Sequence, residues 1–109
     1  MAESLLEGWS ETEQGIAKQA FERAYGRAIH QLINAVRTRS EQLSSAQAVW
    51  DLHDFLSIER HNIEGRFDFR LDGILFVFAS LVKDQLLHLD ELDGLTADKL
   101  AKIGAMARF

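Results

Sequence analysis

Ile74-Leu75-Phe76-Val77-Phe78-Ala79 is the stretch on which the fold class turns. Six consecutive apolar residues, rich in aromatic and β-branched types, have the composition of a buried strand. Helix is the better reading. The apolar pattern continues through Leu81 and Val82 to Leu86 and Leu89 at helical spacing, and no hairpin partner follows. A helix is therefore predicted over about residues 68–87, and the chain reads as all-α.

Upstream, Ser44-Ser45 is a capping signal for a helix from Ala46 to Asn62 or Ile63, with Glu64-Gly65 bending or breaking the chain after it. At about 100° per residue, Ala48, Val49, Leu52, Phe55, Leu56 and Ile63 share one arc. That arc is an ordinary core stripe. The opposite arc holds Trp50, His53, Asp54, Ser57 and His61, with Arg60 at its edge. A tryptophan, two histidines, an acid and an arginine in about three turns do not make an ordinary solvent face.

Further upstream, Ser10-Glu11-Thr12-Glu13 reads as a capping box. Ala17, Phe21, Ala24, Ala28, Leu32, Ala35 and Val36 then recur at steps of three and four, with Ile16, Ala20, Tyr25, Ile29 and Ile33 widening the stripe. The predicted helix reaches about Arg39 and is near 45 Å long. Its apolar face is wide for one short partner helix, so a second copy of the chain is expected to help cover it. The competing reading is that the second helix covers it alone. Downstream, Asp90–Gly94 reads as an acidic turn or a short helical turn, and Thr96 caps a last helix with Leu100, Ile103, Ala107 and Met106 on its buried side.

Composition sets limits on function. The 109 residues fit one domain, and 47% hydrophobic with 27% charged residues is globular rather than disordered. The absence of proline makes long helices easy to write. With no cysteine, disulfides, thiol catalysis and Cys-based zinc sites are excluded, which fits a reducing cytosol. Met1–Trp9 lacks the basic start and apolar run of a signal peptide, and no apolar run is long enough for a membrane span. A net charge of −5 argues against general nucleic-acid binding.

Catalytic and metal patterns are weak. His53 and His61 lie eight residues apart, about 12 Å along a helix, too far to share one ion. Ser57 sits one turn from His53 with Asp54 nearby, but a helix surface supplies neither a strained elbow nor an oxyanion hole. No glycine-rich phosphate loop is present. Trp, Arg and His suit a protein interface better. From spacing alone, an interface and a half-buried Trp50 over an internal His53–Asp54–Arg60 network are equally good readings. Phe76 reads as core, and Lys102 as a solvated lysine.

Trp50-Asp51-Leu52-His53-Asp54-Phe55-Leu56-Ser57-Ile58-Glu59-Arg60-His61 resembles the fluorescence recovery protein family of cyanobacteria. The likeness continues through Ile63-Glu64-Gly65, Asp68, Arg70, Phe76-Val77-Phe78-Ala79, Ala97-Asp98-Lys99 and Lys102-Ile103 to Ala107-Arg108. It covers the chain from about Trp9. Phe67 and Phe69 around Asp68, and Leu71-Asp72-Gly73, depart from the family pattern.

The resemblance implies an all-α homodimer with a long helical stalk (about residues 10–63) and a small helical head (about 64–109). It implies no cofactor, beside the reading from the residues above that the chain is neither an enzyme nor a metal protein. The implied partner is the photoactivated red form of the orange carotenoid protein, bound chiefly through its C-terminal domain. The implied activity is to speed that partner's return to the orange form and its release from the phycobilisome, in the cytoplasm or at the cytoplasmic face of thylakoids. Carried over residue by residue, partner contacts fall on Trp50, His53, Asp54 and Arg60, and in the head on Phe76 and Lys102. Dimer contacts fall on Ile33 and Val49. A second reading keeps the dimeric scaffold but gives it a different protein partner, in a bacterium without phycobilisomes.

Overall fold

The computed structural model describes residues 8–109; the absence of a leader pattern in the first seven falls outside them. The described chain is all-helical. It contains α1 (Glu11–Glu41), α2 (Ala46–Arg66), α3 (Ile74–Lys83), a 3-10 turn (Leu89–Leu92) and α4 (Ala97–Ala107), with no β-strand among the described residues.

Local chemistry sets the helix starts. Ser10 Oγ accepts from the Glu13 amide at 3.1 Å and Glu13 Oε1 accepts from the Ser10 amide at 3.2 Å, which completes the capping box of α1. Ser45 Oγ accepts from the Ala48 amide at the start of α2, and Thr96 Oγ1 from the Lys99 amide at the start of α4. These caps are where the sequence puts them.

The ends differ. α2 runs through Gly65 to Arg66 rather than stopping near Ile63. One interior glycine costs a helix only about 1 kcal/mol, and a run of good helix formers carries the chain past it. Residues 67–73 then form a connection, so α3 begins at Ile74 and not near Asp68. α3 also stops at Lys83 rather than Leu87. The stop is a Schellman motif: the Leu86 amide donates to the Leu81 carbonyl at 2.9 Å and the Gln85 amide to the Val82 carbonyl at 3.1 Å. Leu81 and Leu86 are both buried, as the hydrophobic contact of that motif requires. Gln85 sits at the left-handed position with φ 62°, where a Cβ is disfavoured. Gln85→Gly is therefore expected to raise stability by about 0.5–1 kcal/mol, read as a higher urea midpoint at unchanged slope. An unchanged or lower midpoint would count against this account of the helix end.

The described chain forms two compact units, residues 8–25 with 69–109 and residues 26–68. The first contains every fully buried side chain. Phe78, Ile74, Leu81, Leu87, Leu92 and Ile103 are its large members, and Ala17, Ala20 and Ala24 line the matching face of α1. α3 and α4 pack on each other. Phe21 meets Phe69 edge-on, with ring centroids 5.2 Å apart. Gly94 has φ 107°, a left-handed conformation that side chains rarely adopt, where the turn lies against the tip of the Ile16 side chain.

The second unit is different in kind. From Gly26 to Asp68 no residue is buried. Ala28, Ile29, Leu32, Ala35 and Val36 of α1, and Ala48, Leu52, Phe55 and Ile63 of α2, are only half-buried. The Arg39 guanidinium lies 3.9 Å over the Phe55 ring and shields part of that seam. Ile33, Leu43, Val49, Leu56 and Ile58 are exposed. A single copy of α2 thus covers the apolar face of α1 only in part.

Candidate functional site

Trp50, His53, Asp54, Ser57 and His61 all reach solvent from one side of α2. The helix directs Ala48, Leu52, Phe55, Glu59 and Ile63 inward, and steps of three and four leave the other set facing out. Trp50 is 61% exposed, a cost in water that no packing within its own chain offsets. Its ring meets His53 edge-on at 6.4 Å. His53 Nδ1 and Asp54 Oδ1 are 3.2 Å apart. These three make one small cluster with an aromatic face, an imidazole and a carboxylate.

Arg60 stands apart from that cluster. Its Nε donates to Glu64 Oε1 at 2.7 Å, an i,i+4 pair at the surface, and this hydrogen bond holds the guanidinium's pKa above its ordinary value. An internal His53–Asp54–Arg60 network, one of the two readings from spacing, is absent from the chain. Of the stripe assigned to the core, Val49 and Leu56 are exposed.

Ile33 and Val49 are about half exposed, at 44% and 46%. Phe76, surrounded in sequence by core residues, is 70% exposed. The core reading of Phe76 from its neighbours is thereby corrected: α3 turns Ile74 and Phe78 inward and Phe76 outward. Lys102 is exposed and pairs with Asp98 at 3.2 Å, one turn back on α4.

Sequence reasoning missed the polar centre of the first unit. Lys99 Nζ donates to Glu13 Oε2 at 2.9 Å and to the Gly8 carbonyl, and lies 4.2 Å from the Trp9 ring centroid. Glu13 Oε2 also accepts from the Thr96 amide at 3.0 Å. The Lys99 hydrogen bond is the main cause that lowers the Glu13 pKa; burial opposes it, and the Ser10 and Thr96 amides add to it. One signal was present. Lys99 is a cation in the first turn of α4, where the helix dipole disfavours positive charge, which points weakly to an acidic neighbour.

No three His, Asp or Glu side chains converge as metal ligands among the described residues. No described helix is long and apolar enough to cross a membrane.

Known proteins resemble the chain over nearly its whole length. Residues 9–107 match the family described as photoprotection regulator fluorescence recovery protein. The fluorescence recovery protein of Synechocystis sp. PCC 6803 is 43% identical over 100 residues, 92% of each chain. The solved structure of the Fremyella diplosiphon fluorescence recovery protein is 48% identical, with a TM-score of 0.89 over 93% of this chain and 99% of that one. The Synechocystis structure is 42% identical at the same TM-score and coverage. Matches of this extent leave no segment from Trp9 to Ala107 outside the likeness, and the chain belongs to the fluorescence recovery protein family of photoprotection regulators.

Proposed function

We propose that the chain works as a homodimer that binds the photoactivated red form of the orange carotenoid protein, chiefly its C-terminal domain. It speeds reversion to the orange form and release from the phycobilisome, which ends quenching. The observation that carries this reading is the solvent-facing Trp50–His53–Asp54 cluster, which serves no packing purpose within its own chain.

The mechanism is differential binding. Acceleration without a covalent step requires tighter binding to the partner's closing arrangement than to its open one. Each tenfold in rate asks for about 1.4 kcal/mol of that difference. Trp50 supplies contact area, His53 and Asp54 directed hydrogen bonds, and Arg60 a planar cation that can exchange Glu64 for a partner carboxylate. Phe76 and Lys102 form a second contact on the other compact unit. No cofactor or metal takes part, and no bond in the partner is made or broken.

The test is the dark reversion rate of the red form, followed by its absorbance, with and without the protein. Reversion is expected to accelerate strongly. Trp50→Ala is expected to weaken binding by about 30-fold, the equivalent of ~2 kcal/mol at a central aromatic anchor, and Arg60→Leu by a similar order. Helix content by circular dichroism should not change, because both side chains are exposed. No acceleration and no binding would direct the search to another protein partner for the same scaffold.

A further inference from the structure

Glu64 is hard to explain as a helix residue. It lies in the last turn of α2, where the negative end of the helix dipole disfavours a carboxylate. Its pair with Arg60 runs in the less favourable order, with the cation N-terminal to the acid. The chain uses the favourable arrangement elsewhere: Asp98, in the first turn of α4, precedes Lys102 by four residues. Packing does not account for Glu64 either, since its side chain is 64% exposed. What remains is its effect on Arg60.

Arg60 lies at the edge of the face that carries Trp50, His53, Asp54 and Ser57. Glu64 follows His61 by three residues and Ser57 by seven, so it belongs to that face too. Glu64 Oε1 takes the Nε hydrogen at 2.7 Å. Among the described residues the guanidinium has no second partner, and its two terminal nitrogens are left to water. A guanidinium is a fork that can give a carboxylate two parallel hydrogen bonds. Glu64 uses one nitrogen of that fork through one oxygen. An exposed pair of this kind opens readily.

We propose that Glu64 is an internal stand-in for a carboxylate of the protein partner: it occupies Arg60 in the free chain, and binding requires the partner to displace it. The stand-in rests on the proposed function and makes Glu64 a specificity-determining residue of the same site. A partner that offers a bidentate carboxylate forms two charge-assisted bonds for the one it breaks. A partner that offers a neutral group or a single oxygen forms no more than it breaks and is rejected. The stand-in also weakens every complex by the strength of its own pair. That suits a regulator which must release its partner after reversion, because binding the starting and closing forms equally tightly adds nothing to the rate.

The experiment titrates photoactivated orange carotenoid protein into the full chain, Glu64→Gln, Arg60→Leu and the double variant, at low and at high salt. Glu64→Gln is expected to tighten binding about two- to threefold, the order of an exposed i,i+4 pair. It should also steepen the salt dependence, because the Arg60 charge is no longer offset. In the Arg60→Leu background the same substitution is expected to lose this gain. Without any partner, the Arg60 Nε nitrogen resonance should shift in Glu64→Gln, while the urea midpoint should not fall. Weaker binding by Glu64→Gln would make Glu64 a support that holds Arg60 in place, and unchanged binding would make it a bystander. An equal gain in the Arg60→Leu background would assign the effect to net charge alone. Each of these three results overturns the stand-in and leaves the function standing. Failure of the unaltered chain to bind would overturn both readings.

Discussion

Lys99→Met is expected to destabilise the unit formed by residues 8–25 and 69–109 by about 3–5 kcal/mol, the usual cost of leaving one member of a buried ion pair without its partner. The Glu13–Lys99 pair is well enclosed, with side-chain exposures of 9% and 11%. Methionine keeps the length and packing of the lysine stem but offers nothing to Glu13, to the Gly8 carbonyl or to the Trp9 ring. Glu13 would keep the Ser10 and Thr96 amides, so the carboxylate stays bonded but uncompensated in charge. For a chain of this size the loss corresponds to about 12 °C or more in the thermal midpoint. The double variant Lys99→Met with Glu13→Gln is expected to recover part of it, since removing both charges removes the desolvation that their pairing offsets, while the Gln side chain can accept from only one of the two amides that Glu13 serves. Thermal and urea denaturation followed by circular dichroism reads both steps. A single variant within 1 kcal/mol of the unaltered chain, or a double variant no better than the single, would sink the argument.

The same pair gives a signed pH dependence. The folded-state pKa of Glu13 lies below its ordinary value near 4.5, chiefly through the Lys99 hydrogen bond. Its contribution to stability is complete above that ordinary value. It is lost as pH falls from there through the lowered folded-state value, where the carboxylate takes up a proton in the native state as well. Nothing in this linkage acts at neutral pH.

What the sequence could convey divides along the range of the interactions. Caps are local, and Ser10, Ser45 and Thr96 each bond an amide three residues on, so three helix starts are legible from a few letters. The end of α3 depends on Gln85 taking a left-handed conformation, which its identity does not announce, and Leu86 keeps helical spacing while serving as the contact of a Schellman motif. Lys99 and Glu13 are 86 residues apart, and the capping box already gave Glu13 an explanation, so only the unfavourable place of Lys99 at its helix start hinted at the pair. At the candidate site, the 3.6-residue period separates Trp50, His53 and Asp54 from the core arc. It does not reveal that Val49 and Leu56, which share the core arc, are left uncovered. Phe76 shows the same limit: a wholly apolar run has no internal contrast to mark which member faces out.

Ile33→Glu is expected to halve the mass of the protein in light scattering, provided the proposed dimer forms through residues 26–68. The physical case starts from burial. This unit holds two long helical segments and no buried residue, while the other unit has a fully enclosed core. An isolated helical pair of this size with half-covered apolar side chains gains too little from burial to offset its chain entropy. A second copy laid on Ile33 and Val49 would supply the missing cover. A glutamate at Ile33 costs the separated chain little, because that position is 44% exposed there, but in a seam it would bury a charge without a partner. Far-UV helicity should fall only modestly, whereas amide exchange in residues 26–68 should speed up. Ile58→Glu is the matched control. Ile58 is 60% exposed, yet it lies nine residues from Val49, about 180° around α2, so the same substitution there is expected to leave the dimer mass unchanged. A full dimer mass for Ile33→Glu would remove this seam from the interface. Dissociation by Ile58→Glu would place the contact on the opposite side of the helix and remove Val49 from it.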